Sequence, residues 1–342
     1  INGSDTHTLV IGATRSGKSR SIVLPTIGIE GLAGENMVVS DPKGELHQYT
    51  YPFLEALGYN VFVLDFKNPD RSDHFNFLQE VIDAINDDNI PLAQKKALDI
   101  TEALVGNDTS SEKIWSEGEK SIMAACILAV VYDNKEHPEY QNLTNVYHFI
   151  NNMCEMSDNP PLKRYIDTIE ALNPNHPALA LISATRVAPS KTQGSFNISA
   201  LATLRLFADI NVYNLTKSNS FKIEDLNDQK TAIFIILPDY NTTYYGVASL
   251  FVDQIYTKLA DVADLQGGRL KRRVNFILDE FGNFAVIPDF ATKLTVAGGR
   301  GIRFNLFLQS TAQLESDSKK VKYGKEGART IVGNCEYWIF LS

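Results

Sequence analysis

The chain has 342 residues, a net charge of −9, 44% hydrophobic and 21% charged residues. This is ordinary globular composition with length enough for two cores, and the acidic balance excludes a global basic footprint for nucleic acid. Cys126, Cys154 and Cys335 are odd in number and widely spaced, without C-x-x-C pairs, which points to buried thiols in a reducing compartment and away from disulfides or a metal site. No internal repeat, low-complexity tract or disordered linker is visible. The most apolar stretch, residues 122–132, is too short to span a bilayer and reads as a buried helix. The first residue is Ile1 and not Met, as expected of a cut-down or processed piece.

Residues 7–11 (H-T-L-V-I) form the first strand run, and residues 12–19 follow it as G-A-T-R-S-G-K-S. This matches G-x-x-x-x-G-K-S, in which glycines let backbone N–H groups close around phosphates. Gly12, Ala13, Thr14, Arg15, Ser16 and Gly17 make the cradle, Lys18 reaches the β/γ-phosphates and the Ser19 hydroxyl holds Mg²⁺. Residues 16–27 open a helix whose N-terminus faces the anion. A chance Gly-rich turn is the competing reading, and it lacks this strand-before, helix-after context. Further strand runs lie at 36–40 and 60–66 (N-V-F-V-L-D-F).

From residue 91 to 206 the strand signal vanishes and helical periodicity replaces it. Pro91 sits where a first helical residue is favoured and Gly106 where a helix stops. Residues 112–132 carry Ile114, Trp115, Ile122, Ala125, Cys126, Leu128 and Ala129, a helix-length pattern with one broad apolar face. Thr144, Pro161 and Ser190 mark the starts of three more helices. Strand runs resume at 231–237 (T-A-I-F-I-I-L), 275–278, 303–308 and 336–341.

The run at 275–278 ends in Asp279-Glu280, at the carboxyl end where ligands sit in open α/β sheets. Asp279 suits the Mg²⁺-binding acid, and Glu280 the residue that orients and deprotonates an attacking water. Alone, such a doublet reads as a solvated strand end; coupled to residues 12–19 it reads as the second half of a triphosphatase site. One strand-helix-strand unit takes about 30 residues, so the separation of Lys18 from Asp279 calls for an inserted domain. The expected architecture is α/β: a nucleotide-binding domain with a mostly parallel sheet over 1–80 and 216–342, interrupted by an all-helical domain over 81–215. The two half-sites are expected to meet across neighbouring strands.

Several segments then combine: G-A-T-R-S-G-K-S, V-S-D-P-K-G-E-L at 39–46, F-I-L-D-E-F at 276–281 with Ile287-Pro288 after it, G-R-G-I-R at 299–303 and L-Q-S at 308–310. Together they resemble the type IV secretion coupling proteins, the ATPases of conjugative DNA transfer. The D-P-K-G-E run discriminates, because ordinary P-loop enzymes lack it. D-H-F-N-F at 73–77 is similar to the family's aromatic-Asn-Pro element, with Phe77 in place of the proline. The resemblance implies a RecA-like P-loop motor that uses ATP and Mg²⁺ and assembles as a homo-hexamer at the cytoplasmic face of the cell membrane. An N-terminal transmembrane anchor, absent here, would hold the full protein; this piece is expected to be monomeric. The implied partners are relaxase and single-stranded DNA, together with the channel ATPases and inner-membrane components of the secretion system. Gln309 would be the polar sensor of the γ-phosphate. Arg300 first, then Arg303, would be the arginine supplied to a neighbouring subunit, against the plainer reading of surface or helix-end charges. Asp41 and Lys43 would shape the site or simply build a turn.

Two cationic clusters, Lys271-Arg272-Arg273 and Lys319-Lys320 with Lys322, Lys325 and Arg329, either line a ring's channel or are solvated faces. The six histidines show no ligand spacing, and Tyr244-Tyr245 read as core aromatics, not base-stacking platforms. Two alternatives to a DNA motor stand. One is a substrate receptor of the same machinery with ATP as a gate; the other is a chromosome-segregation translocase, against which D-P-K-G-E and the helical insertion argue.

Overall fold

Apolar strand runs without polar alternation need cover on both faces, and seven of them pair here into one sheet. The computed structural model describes residues 5–13, 15–106, 113–154, 160–186, 188–238, 240, 242–315 and 322–341, with side chains described except at 113 and 183–186. In chain order, β1 (His7–Gly12) leads through a π-helical turn, Ser19–Val23, into α1 (Leu24–Ala33); β2 (Asn36–Asp41), α2 (Glu45–Ala56) and β3 (Asn60–Asp65) follow. The helical stretch holds α3 (Gln79–Asn86), α4 (Ile90–Val105), α5 (Lys113–Asp133), α6 (Leu143–Met153), α7 (Pro161–Leu172), α8 (Pro177–Arg186), α9 (Ser190–Leu204) and α10 (Ile210–Thr216). After it come α11 (Asp225–Asp228), β4 (Thr231–Ile236), α12 (Tyr245–Leu265), β5 (Val274–Leu278), α13 (Phe290–Ala297), β6 (Ile302–Leu308), α14 (Ala312–Glu315), α15 (Gly324–Gly333) and β7 (Cys335–Leu341). The chain divides into two compact units, Ile1–Asp73 with Ser220–Ser342, and His74–Asn219.

In the first unit the strand order is β3-β4-β2-β5-β6-β1-β7, and every pair is parallel. β2, β4 and β5 are buried along their whole length, while β7, at one edge, exposes Tyr337, Trp338 and Phe340. One face of the sheet packs Val10, Val39, Phe234, Ile277 and Phe307 against Ile27 of α1 and Leu46 and Leu54 of α2. The other face is aromatic: Phe276 stacks on Phe304 (4.6 Å, 13°), which meets Phe290 of α13 edge-on (5.2 Å) and Tyr256 of α12 (5.9 Å). Tyr245 is buried against Phe284, as a core aromatic should be.

The helical unit is organised around α5. The sequence pattern anticipates one broad apolar face, but residues 122–131 are buried on every side, because α4, α6, α8 and α9 pack around this helix. Ile114 and Trp115, near its start, are exposed instead. Local chemistry sets the other helix ends. Asn89 accepts from Leu92 N (3.2 Å) with Pro91 in the first turn of α4, and Gly106 ends that helix at φ 79°. Asn142 caps α6 by accepting from Asn145 N (3.0 Å). The F-N-F element closes the neck of this unit: Phe75 N donates to Leu215 O (2.8 Å), Asn76 Nδ2 donates to Gln141 O (2.8 Å), and Phe77 packs on Phe75 and Phe207.

Replacing Phe276 by alanine removes the stacked pair and leaves a cavity under α13. Denaturant unfolding of Phe276→Ala is expected to show a loss of about 3–5 kcal/mol.

Candidate active site

Because every ladder is parallel, the carboxyl ends of β1, β2, β5 and β6 share one edge of the sheet, and the G-K-S loop, Asp279-Glu280 and Gln309 all emerge there. The order differs from the sequence expectation in one respect: β1 and β5 are not neighbours. β6 lies between them, with Ile11 opposite Leu308 and Leu278 opposite Leu306. Two strands distant in the chain thus flank a third that arrives late in the sequence, and this places Gln309 between the two half-sites. They nevertheless meet, since Ser19 Oγ donates to Asp279 Oδ2 at 2.9 Å across 260 positions of sequence.

The loop after β1 is shaped by left-handed backbone at Arg15 (φ 66°) and Gly17 (φ 85°). Such turns point successive N–H groups inward, a nest for anions. Gly12 is required by space, because a Cβ there would lie 2.6 Å from Ser16 Oγ and 3.1 Å from Leu341 Cβ. Lys18 is buried, and its ammonium donates to the carbonyls of Gly12 (2.6 Å) and Ala13 (3.3 Å), inside the cradle that it would serve. Ser16 Oγ is buried without a hydrogen-bond partner among the described residues, and Arg15 is exposed. Thr14 lies outside the described residues.

Asp279 is buried, and burial raises its carboxyl above the usual range, with the Glu280 charge adding and the Ser19 hydroxyl opposing. Ser40 Oγ holds the Asp279 carbonyl (2.8 Å), and Glu280 N donates to Asp279 Oδ1 (3.0 Å). Glu280 itself is left-handed (φ 53°, ψ 38°), a conformation that costs a non-glycine residue about 1–2 kcal/mol and turns its carboxylate away from the strand line. That carboxylate accepts from Gln309 Nε2 at 3.0 Å. The metal reading fits the chemistry of these atoms: the Ser19 hydroxyl and the Asp279 carboxylate are the hard oxygen donors that Mg²⁺ takes, directly or through water, and they converge at 2.9 Å.

D-P-K-G-E builds a turn. Asp41 is buried and its carboxylate accepts from Gly44 N (2.8 Å) and His47 N (2.9 Å), capping the start of α2, with Gly44 at φ 79°. Lys43 is left exposed on the rim. Two residues the sequence reading missed bear on the site. Gln313 Oε1 accepts from Gln309 N (2.9 Å). Lys322, assigned from sequence to a cationic cluster, donates to the carbonyls of Gly282 and Phe284 in the turn after Glu280. The only signal for Gln313 was its position four residues after Gln309.

The arginines separate. Arg300 is at the sheet's amino edge and chelates Asp264 through Nε (3.0 Å) and Nη2 (3.2 Å), with its side chain 26% exposed. Arg303 is buried at the start of β6 and is paired internally with Glu35 and Asn275 (2.7 Å). Arg273 joins the same group through Asp5 (2.7 Å) and Glu35, while Lys271 bonds Asp228 (2.6 Å) and Arg272 donates to Gly34 O (3.0 Å). The first cationic cluster is therefore engaged within the fold. Lys319 and Lys320 lie outside the described residues; Lys325 and Arg329 are exposed.

Glu30 lies beside Arg303 (3.9 Å), and burial pushes its carboxyl up to about 8 from 4.5. A raised folded-state value favours the neutral acid, so its contribution is fully present below pH 4.5 and is lost as pH rises towards 8. Glu30→Gln is expected to gain stability over the parent progressively from pH 5 to 8, read by denaturant midpoints. Arg303→Met, which removes one of the two arginines paired with Glu35 and leaves Asn275 Oδ1 without its donor, is expected to cost about 1–3 kcal/mol in the same assay.

Comparison with known proteins follows this geometry. A family model described as Type IV secretory system Conjugative DNA transfer matches residues 1–342. Protein VirD4 of Rhizobium rhizogenes is 24% identical over all of this chain and 48% of its own length. The conjugal transfer protein TraG of Escherichia coli is 25% identical over 98% of this chain and 52% of its own. The chain thus spans about half the length of these relatives. Among solved structures, the plasmid coupling protein TrwB in complex with the non-hydrolysable ATP analogue ADPNP aligns at TM-score 0.66 and 18% identity, covering 98% of this chain and 70% of that one. TrwB in complex with ADP and Mg²⁺ aligns at 0.68 and 18%, covering 98% and 69%. The likeness shows the fold, a RecA-like parallel α/β domain accompanied by a helical domain. With a family model matching from first residue to last, the chain belongs to the type IV secretory system conjugative DNA transfer family.

Proposed function

We propose that this chain is the ATP-hydrolysing part of a type IV secretion coupling protein, which moves relaxase-bound single-stranded DNA or protein substrates towards the secretion channel. The observation that carries the reading is the hydrogen bond from Ser19 to Asp279 (2.9 Å) with the Gln309–Glu280 pair (3.0 Å) beside it. In this reading the loop amides of residues 12–17 and the Lys18 ammonium bind the phosphates. Ser19 and Asp279 would hold Mg²⁺, which when bound neutralises charge on the phosphate oxygens. Glu280, placed off the strand by its left-handed backbone, orients the attacking water and takes its proton. Gln309, bonded to that carboxylate, senses the terminal phosphate.

The family resemblance supports a homo-hexamer at the cytoplasmic face of the cell membrane, in contact with channel ATPases and inner-membrane components. Arg300 is then the first candidate, and Arg303 the second, for the arginine offered to a neighbouring subunit, after release from Asp264 or Glu35; such groups contribute on the order of 10³ to 10⁵ in rate. One observation leans towards the receptor reading with ATP as a gate: Arg273 is paired with Asp5 and Glu35, and Lys271 shares its charge with Asp228, which lowers the net positive charge that this cluster offers to DNA.

Lys18→Ala is expected to abolish ATP binding and turnover. Glu280→Gln should retain nucleotide but lose about 10²–10⁴-fold in turnover. Steady-state ATPase assays across protein concentration, with and without single-stranded DNA, check both. Parental turnover in both variants removes the enzyme assignment, and stimulation by DNA separates the motor from the receptor.

A further inference from the structure

We infer that Gln313 is a positioning residue of this site, a strut that sets the distance between Gln309 and the Glu280 turn; the inference rests on the ATPase reading above. Gln309 is the first residue beyond β6, where the ladder that orders the strand has ended. Its N–H instead donates to Gln313 Oε1 at 2.9 Å, and the next N–H, of Ser310, points to the same oxygen at 3.4 Å. Gln313 is fixed in turn by its own N–H, which donates to Ser310 O (3.2 Å).

The other side of the same amide rests on the Glu280 turn. A Cβ built at Gly282 would fall 2.4 Å from Gln313 Cδ and 2.5 Å from its Nε2, so the absence of a side chain at 282 is what lets Gln313 reach. That turn is held from elsewhere as well: Lys322 donates to Gly282 O and Phe284 O, and Asn283 N donates to Glu280 O (2.9 Å). The turn is therefore the fixed support, and Gln313 transmits its position to Gln309, whose Nε2 donates to the Glu280 carboxylate. Removing the strut leaves the binding loop intact but lets the Gln309–Glu280 pair drift, and misplacement by about 1 Å costs on the order of 10²-fold in rate.

Two variants break the strut in different ways. Gln313→Ala deletes the amide. Gly282→Ala displaces it and is compatible with folding, because the atoms in the way belong to the far end of a flexible side chain and Gly282 is not among the positive-φ glycines. In the intact protein, ATP titrations are expected to give a kcat lowered about 10- to 100-fold in both, with KM within about twofold of the parent. Gln313→Glu, which keeps the acceptor oxygen, restores most of the rate. Gln309→Ala and the Gln309→Ala/Gln313→Ala double variant turn over equally slowly, as groups acting through one another do. Parental kcat in Gln313→Ala, losses that multiply in the double variant, or an effect confined to KM overturns the inference while leaving the ATPase reading in place. A parent protein that hydrolyses no ATP overturns that reading, and the inference with it.

Discussion

Parallel ladders between β1 and β6 and between β6 and β5 oblige the carboxyl ends of all three strands to lie on one edge, and the hydrogen bond from Ser19 to Asp279 exists only because they do. Had any of these strands run antiparallel, its chemistry would have emerged at the opposite edge, about 20 Å away. By the same rule Arg303, near the start of β6, and Gln309, after its end, belong to different edges of the molecule although they are six positions apart. The edge that carries the acids and the G-K-S loop can do phosphate chemistry; the other carries the internal ion pairs of Arg303, Arg273 and Glu35.

The helical unit enters the sheet domain between β3 and β4, which are themselves neighbours with Asn60 opposite Thr231. The connection is a parallel crossover, leaving at the carboxyl end of β3 and returning at the amino end of β4, and its loop-closure entropy grows only slowly with inserted length. Inside that unit the buried middle of α5 supplies the core, and the F-N-F segment is tied to the end of α10 through Phe75 N and Leu215 O. The sheet's own integrity rests on two unlike faces, one mixing aliphatic residues with Phe234 and Phe307 beneath α1 and α2, and one aromatic beneath α12 and α13.

Polar order at the site is built from the second layer outward. Glu280 is held in a left-handed conformation by a turn that Lys322 clamps, and Gln309 by the amide of Gln313. Asp41, the most distinctive acid of the D-P-K-G-E run, is a cap for α2 that shapes the neighbouring loop without facing a ligand itself. The candidates so placed are held through their backbone, since Lys322 grips the carbonyls of the Glu280 turn and Gln313 the N–H of Gln309.

The linear sequence by itself determined the strands, the phosphate loop and the acidic pair, since these depend on local chemistry: apolar runs, glycines where backbone must turn, and carboxylates at a strand's end. It also located the helical insertion, because strand and helix periodicities differ. Only the tertiary structure decided the strand order, with β6 wedged between β1 and β5, since pairing is set by packing between segments far apart in the chain. For the same reason it alone paired Arg300 with Asp264 and Arg303 with Glu35, tied the Lys271–Arg273 run to Asp228, Gly34, Asp5 and Glu35, buried the middle of α5 on every side and brought Gln313 against Gly282. A residue's type can announce what chemistry it is able to do, whereas its partner is chosen by the fold.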